Sequence, residues 1–259
     1  MEETRLQLSP SSATSFKSCP QMFKFRQIDC LPEPVSRPQA RGSLVHAVLE
    51  RLMGEAPASR TPQQAYSLLD ALWAECGEDP EWRPEDLDAH NEQEWLQESR
   101  RLLANYFKLE DPGTLDVARL EWWVEYELAD VHLRGVIDRV EERSDGSWVL
   151  TDYKTGRVPL ESRELAASFG LRFYALMCWR SFGVIPEELR LVYLTDPAIL
   201  TWRPTERTLI AFERQMQALA RAVRRAADSD DWRARPSPLC MSCPFQGQCP
   251  AWTEAEAEA

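Results

Sequence analysis

Two aspartates and a lysine carry the first chemical signal in this chain. Asp138 is followed, after thirteen residues, by Asp152, and Lys154 stands two positions further on, in the stretch VLTDYKTG. Lysine is scarce: Lys154 is one of four in 259 residues. Each acid closes an apolar run, GVID and VLTD. The period of two in a strand puts Trp148, Leu150, Asp152 and Lys154 on one face. When the run ending at Asp138 pairs with the run ending at Asp152, the two carboxylates meet. Side by side they repel unless a cation neutralises them. A hard divalent ion, Mg2+ or Mn2+, takes oxygen ligands of this kind. A lysine beside such an ion is equipment for hydrolysing a phosphodiester. Alone, Asp-x-Lys at a strand end is also the pattern of a surface ion pair worth under about 1 kcal/mol. The upstream acid is what separates the two readings.

The elements that must position these groups follow from the hydrophobic periodicity. LEWWVEYEL at 120–128, VHLRGVIDRVEE at 131–142 and SWVLTDYK at 147–154 read as three strands, the last two joined by a turn at 144–146. A helix over 161–182, strands at 189–196 and 199–204, and a long helix over 205–228 follow. Upstream, residues 1–11 read as extended, and helices are expected over 12–27, 41–53, 62–77 and 85–109. The second of these carries Leu44, Val45, Val48, Leu49 and Leu52 at helical spacing. This order predicts an α/β fold, a mixed central sheet flanked by helices. One domain is expected over 1–252, with a helical insertion at 55–110, a catalytic sheet core at 117–204 and a cysteine segment at 236–252, then an acidic tail at 253–259.

The charge balance, 30 Lys+Arg against 42 Asp+Glu, gives a net −12. That excludes a uniformly basic nucleic-acid coat but leaves room for a local basic patch. The positive charge is almost all arginine, whose planar fork matches phosphate and carboxylate. Arg134, Arg139 and Arg157 are candidates for holding a nucleic-acid backbone near the acids. No apolar run reaches the roughly eighteen residues of a membrane span. The opening MEETRLQLSP has no basic and no apolar leader region. A cytoplasmic protein is expected.

Seven cysteines, an odd number, speak against a disulfide framework. Cys240, Cys243 and Cys249 form C-x2-C-x5-C in a proline-punctuated segment. A closed tetrahedral site needs a fourth thiolate, and Cys19, in KSCPQMF, is the leading candidate. Four thiolates suit zinc or an iron–sulfur cluster, and the spacing does not separate them. Cys30, Cys76 and Cys178 are isolated and are assigned to packing.

The D-(x13)-D-x-K pattern, with GVID and VLTDYKTG, resembles the core of the PD-(D/E)XK nuclease superfamily, most closely its RecB-like branch. Gly42-Ser-Leu-Val-His46 matches the G-x-x-x-H of that branch. The resemblance implies that His46, Asp138 and Asp152 bind Mg2+ or Mn2+, with the main-chain carbonyl of Tyr153 as a further ligand, and that Lys154 assists the attacking water. Glu50, one turn beyond His46, would support it, and Glu125 on the preceding strand is a weaker candidate. The branch continues with Gln-x-x-x-Tyr on the next helix. Here Tyr174 is present, but Gly170 stands in place of the glutamine. Tyr174 and Arg172 are therefore the candidates for positioning DNA on that helix. The split cysteine layout, with S-x-x-x-F-x-x-C-P at 12–20, is similar to that of AddB-type nucleases and CRISPR-associated iron–sulfur exonucleases. It implies a 4Fe–4S cluster on Cys19, Cys240, Cys243 and Cys249, with zinc as the alternative.

The resemblance implies a metal-dependent DNA nuclease, a single-strand exonuclease of DNA repair or recombination that hydrolyses phosphodiester bonds. The alternative is a weakly active DNA-binding or docking subunit of a helicase–nuclease repair complex. The sequence holds no G-x4-G-K-[ST], so a partner would supply any helicase. A zinc-stabilised protein with no nucleic-acid role is the third reading.

Overall fold

Proline placement shapes the first elements. In the computed structural model, which describes residues 6–80, 82–128, 131–160 and 164–252, a short strand β1 (Leu6–Leu8) leads into α1 (Pro10–Ser18) and α2 (Pro20–Phe23), continued by a π-helical turn over Lys24–Ile28. The extended reading of 1–11 thus holds only for β1, and residues 1–5 lie outside the described residues. Ser9 and Ser12 bond reciprocally to cap α1. A single helix was expected over 12–27. Pro20 breaks it, because proline has no N–H to continue the ladder, and Cys19 takes extended backbone at φ −156°, ψ 109°. Cys19 therefore stands at a corner between two helices.

Helix α3 (Arg37–Gly54) starts at a capping box formed by Ser36 and Gln39. Helices α4 (Pro62–Cys76) and α5 (Glu92–Leu109) follow. The apolar faces of all three, including Leu44, Leu69 and Leu103, make one core with Tyr153, Val192 and Leu194. Strands β2 (Val117–Leu128) and β3 (Val131–Glu142) pair, and β4 (Trp148–Lys154) follows. Ser168 separates α6 (Glu164–Ala167) from α7 (Phe169–Phe182), where one helix was expected; the beginning of that helix, from 161, lies outside the described residues. α7 ends on Gly183 in the left-handed conformation, φ 72°. Strands β5 (Glu188–Tyr193) and β6 (Ala198–Trp202) and helix α8 (Glu206–Ser229) complete the order.

The chain divides into two compact units. The larger comprises 35–124 and 136–209. In it β4 runs antiparallel to β3, with Arg139 opposite Thr151, and parallel to β5, with Val149 opposite Glu188. β6 lies antiparallel on β5. The α6–α7 segment is the crossover that a parallel pair requires. The result is the expected mixed α/β sheet with helices packed on it. The smaller unit comprises 1–34, 125–135 and 210–259. In it β1 pairs parallel with the start of β3, Leu6 opposite Val131. Phe16, Phe23 and Trp232 form a ring cluster. Arg235 donates to the Lys17 carbonyl at 2.7 Å, fastening the cysteine segment to α1. The tail at 253–259 lies outside the described residues. Among the described residues no helix is long and apolar enough to cross a membrane.

Candidate metal centre and cysteine site

The β3–β4 register places Asp138 one step beyond the last pair, Arg139 with Thr151, and so opposite Asp152. There the ladder opens. The Asp138 Oδ2 accepts the main-chain N–H of Tyr153 at 2.7 Å, standing in for a backbone carbonyl. Helix α3 delivers His46, with Nδ1 3.4 Å from Asp138 Oδ2 and Nε2 3.0 Å from the Tyr153 carbonyl oxygen. A carbonyl can only accept, so in this bond Nε2 carries the proton and the Nδ1 lone pair faces Asp138. Gly42 lets the helix come this close: a Cβ there would lie 3.3 Å from the Thr155 hydroxyl oxygen at the end of β4. That end is itself fixed, because Thr195 donates to the Thr155 carbonyl at 2.7 Å.

A third group completes the cluster. One ligand atom each of His46, Glu121 and Asp138 lie within 4.8 Å of one another. Glu121 sits in β2 with φ 40°, a left-handed conformation that interrupts the strand's alternation. Glu125 has another role. Its carboxylate lies 3.0 Å from His132 Nε2, while Glu127 lies 2.9 Å from Nδ1. The acid that β2 contributes to this group is therefore Glu121, not Glu125.

Asp152 is buried, and the Lys154 ammonium stands 2.5 Å from its Oδ2. That oxygen takes no well-directed hydrogen bond. Burial, and then the charge of Asp152, push Asp138 up to about 8, against the pull of the Tyr153 N–H. Burial and then Asp138 raise Glu121 to about 7, with a smaller push from Glu50. Burial lowers His46, keeping the imidazole neutral and able to ligate. Burial alone would lower Lys154 as well, but Asp152 outweighs it and holds the ammonium above its ordinary value. Tyr174 is buried beside these acids, and burial followed by the charges of Asp152, Asp138 and Glu121 raises its phenol. Three carboxylates, one neutral imidazole and one lysine leave an excess of negative charge. A hard divalent cation fits such a donor set.

The arginines divide. Arg139, expected at a nucleic-acid backbone, is fully buried. It donates to Glu110 at 2.8 and 2.9 Å, to Glu141 at 2.9 Å and to the Tyr153 hydroxyl at 2.6 Å. It is a structural cation on the opposite strand face. Arg157 is exposed just after the Thr155-Gly156 turn. Arg172 is partly buried on α7, between Gly170 and Tyr174, and Arg134 belongs to the smaller unit.

In the smaller unit Cys19, Cys240, Cys243 and Cys249 line one cavity of about 500 Å³, with Met22, Phe25, Leu239 and Trp252 among its walls. Main-chain N–H groups point at two of the sulfurs: Arg235 at Cys19 Sγ, 3.5 Å, and Ser237 at Cys240 Sγ, 3.3 Å. Of the other cysteines, Cys178 is buried and Cys76 donates to the Leu72 carbonyl. Cys30 departs from the packing assignment: it is exposed, at φ 49°.

Residues 7–250 match the family model of the PD-(D/E)XK nuclease superfamily. No curated protein matches. Among solved structures, the chain resembles the 2.19 Å crystal structure of a protein from Eubacterium rectale named "putative exonuclease". The two share 14% identity, with a TM-score of 0.57, over 86% of this chain and 83% of the other. A second crystal structure, of SSO0001, aligns with 97% of this chain and 88% of its own at 14% identity and a TM-score of 0.43.

Proposed function

Because this chain belongs to the PD-(D/E)XK nuclease superfamily, we propose that it is a divalent-metal-dependent deoxyribonuclease, a single-strand exonuclease of DNA repair or recombination. The observation that carries the reading is the convergence of His46, Glu121 and Asp138 within 4.8 Å, beside the Asp152–Lys154 pair at the end of β4. His46, Glu121 and Asp138 would hold Mg2+ or Mn2+, with Asp152 and the carbonyl of Tyr153 beside them. Such an ion, when bound, polarises the phosphate and lowers the pKa of its water.

The chain's own groups do the rest. His46 is locked by its Nε2–H on the Tyr153 carbonyl, which aims Nδ1 at Asp138. Lys154, kept protonated by Asp152, donates to the attacking water or to the oxygen on which charge develops. In this reading Tyr174 and Arg172, on α7, and the exposed Arg157 are the candidates for positioning DNA, with Arg134 of the smaller unit a further candidate for its backbone. The RecB-like motifs, G-x-x-x-H and DYKTG, support the exonuclease assignment.

The four cysteines hold a 4Fe–4S cluster in this reading. What supports a cluster over zinc is room. A single zinc with bonds of about 2.3 Å keeps its sulfurs roughly 3.8 Å apart. Here the four cysteines, with Met22, Phe25, Leu239 and Trp252 among other residues, line a cavity of about 500 Å³, more room than a single ion fills. The cluster ties Cys19 to the C-terminal segment and acts as a structural staple.

The test is digestion of end-labelled single- and double-stranded DNA with Mg2+, Mn2+ or a chelator. Mononucleotide release from single strands is expected, reduced at least about 100-fold in Lys154→Ala and Asp138→Ala. Equal activity in all three proteins would sink the assignment. Internal fragments as first products would overturn its exonuclease part. Absorbance near 400 nm with bound iron, rather than a colourless zinc protein, is expected for the cysteine site.

A further inference from the structure

The outer face of α8 is unlike the rest of this acidic chain. Arg214, Arg221 and Arg225 recur at spacings of seven and four, which keeps them on one side of a helix. All three are exposed, while Phe212, Met216 and Val223 bury the opposite side. Ala211 and Ala218, also exposed, lie between them, and from 211 to 225 that side holds no acid. Arg207 keeps the same phase at the start of the helix.

Most other described arginines are engaged. Arg26 pairs with Glu33, Arg37 with Asp86, Arg139 with Glu110 and Arg233 with Asp231. Among the described residues Arg214, Arg221 and Arg225 have no such partner. In a chain with 42 carboxylates, an acid-free row of unpaired guanidiniums is a local reversal of charge. The small alanines between them let a polymer backbone lie close.

We infer that this face of α8 binds the phosphate backbone of the DNA substrate. The inference deepens the nuclease reading and rests on it for the identity of the polyanion. From Arg214 to Arg225 the helix rises about 16 Å, a length over which one strand of a duplex carries roughly five phosphates. Planar guanidinium forks suit phosphate oxygens. The contact carries no sequence information and contributes affinity that depends on salt.

The test uses the full chain with Arg214, Arg221 and Arg225 all changed to Gln. Binding of labelled 30-nucleotide single strands and of the matching duplex is followed by anisotropy in a chelator, across a salt series. Affinity near 100 mM salt is expected to fall at least about tenfold. The log–log salt slope is expected to flatten by about 2, up to roughly 0.7–0.9 per lost phosphate contact. The triple Arg→Lys variant is expected to restore most of that slope. Hydrolysis of a small chromogenic phosphodiester, which has no polymer backbone for α8 to hold, is expected to be unchanged. If the Gln variant keeps both affinity and slope, the inference is overturned while the nuclease reading stands. Weakened binding by the Gln variant, in a wild-type protein that cuts no DNA, upholds the inference and overturns the nuclease reading instead.

Discussion

The buried Arg139 invites the most quantitative test. Its guanidinium is fully enclosed and forms a two-pronged pair with Glu110, a second pair with Glu141 and a bond to the Tyr153 hydroxyl. Replacing it by methionine keeps much of the volume but strands two buried carboxylates. Removing one member of a buried, hydrogen-bonded pair costs about 3–5 kcal/mol, because the surviving charge stays desolvated. One feature moderates this. Arg190 stands 3.6 Å from Glu110 and 3.8 Å from Glu141 and can take up part of the load. The expected cost is therefore near the lower end, about 3 kcal/mol. At roughly 2–4 °C per kcal/mol for a chain of this size, the midpoint of thermal unfolding should drop by about 6–12 °C. Adding Glu110→Gln to Arg139→Met should recover part of the loss, because it removes a stranded charge, although the same change in the wild type should destabilise. An Arg139→Met protein as stable as the wild type, or a double variant weaker than the sum of the two single changes, would refute the argument that Arg139 is there to neutralise buried acid.

Three further outcomes follow from the geometry. Glu121 and Asp138 have folded pKa values of about 7 and about 8, above their ordinary 4.5 and 3.8. The folded chain therefore binds these protons more tightly than the unfolded one, and the stability they confer is lost as pH rises through those values. The metal-free protein should melt progressively lower from about pH 5 to pH 8.5, and Mn2+ should reverse most of that fall at the alkaline end; a flat profile in both conditions would count against the acid cluster. Gly42→Leu should push α3 away from Thr155 and weaken Mn2+ binding by about tenfold in titration calorimetry, even though glycine's low helix propensity, about 1 kcal/mol, is relieved; unchanged affinity would show that the close approach does not position His46. Cys240→Ser should lower the melting midpoint and abolish absorbance near 400 nm, and a variant that kept both would remove Cys240 from the proposed iron–sulfur site.

How much of this was legible beforehand depended on whether the signal was periodic. Asp138, Asp152 and Lys154 could be found because strand alternation and a short turn fix their faces, and the observed register sets the two acids opposite each other. His46 needed Gly42, whose missing side chain marks a close approach. Glu121 was hidden for the same reason that Asp138 was visible. Its place in the cluster goes with φ 40° in mid-strand, and nothing in LEWWVEYEL marks a break in alternation there. Arg139 was misplaced because its partners Glu110 and Glu141 are assembled by the fold. Only Glu141, two residues along the same strand, shares its face in a way the sequence shows. Pro20 did announce the corner at Cys19, which a periodicity reading over 12–27 smoothed into one helix.

The two charged clusters lie on opposite faces of the same strand pair, and their charge balance differs. On the Tyr153 side-chain face, Arg139 and Arg190 meet Glu110, Glu141 and Glu188, and Arg203 and Arg143 also approach Glu188, at 3.5 and 3.9 Å. All three guanidinium nitrogens of Arg139 donate to partners, and the network rigidifies β3 and β4. On the Asp138 face, Lys154 pairs with Asp152, while Asp138 and Glu121 crowd His46 and burial keeps that imidazole neutral. That face carries more acid than cation, an imbalance that a divalent ion would offset. The deficit is expressed as two carboxyls pushed to about 7 and about 8. A structural cluster would relieve such repulsion with a second arginine, as the opposite face does. Tyr153 couples the two: its hydroxyl is held by Arg139, its N–H by Asp138 and its carbonyl by His46. The finished network thus fixes the backbone on which the unfinished one is built, and the unfinished one is where chemistry is to be sought.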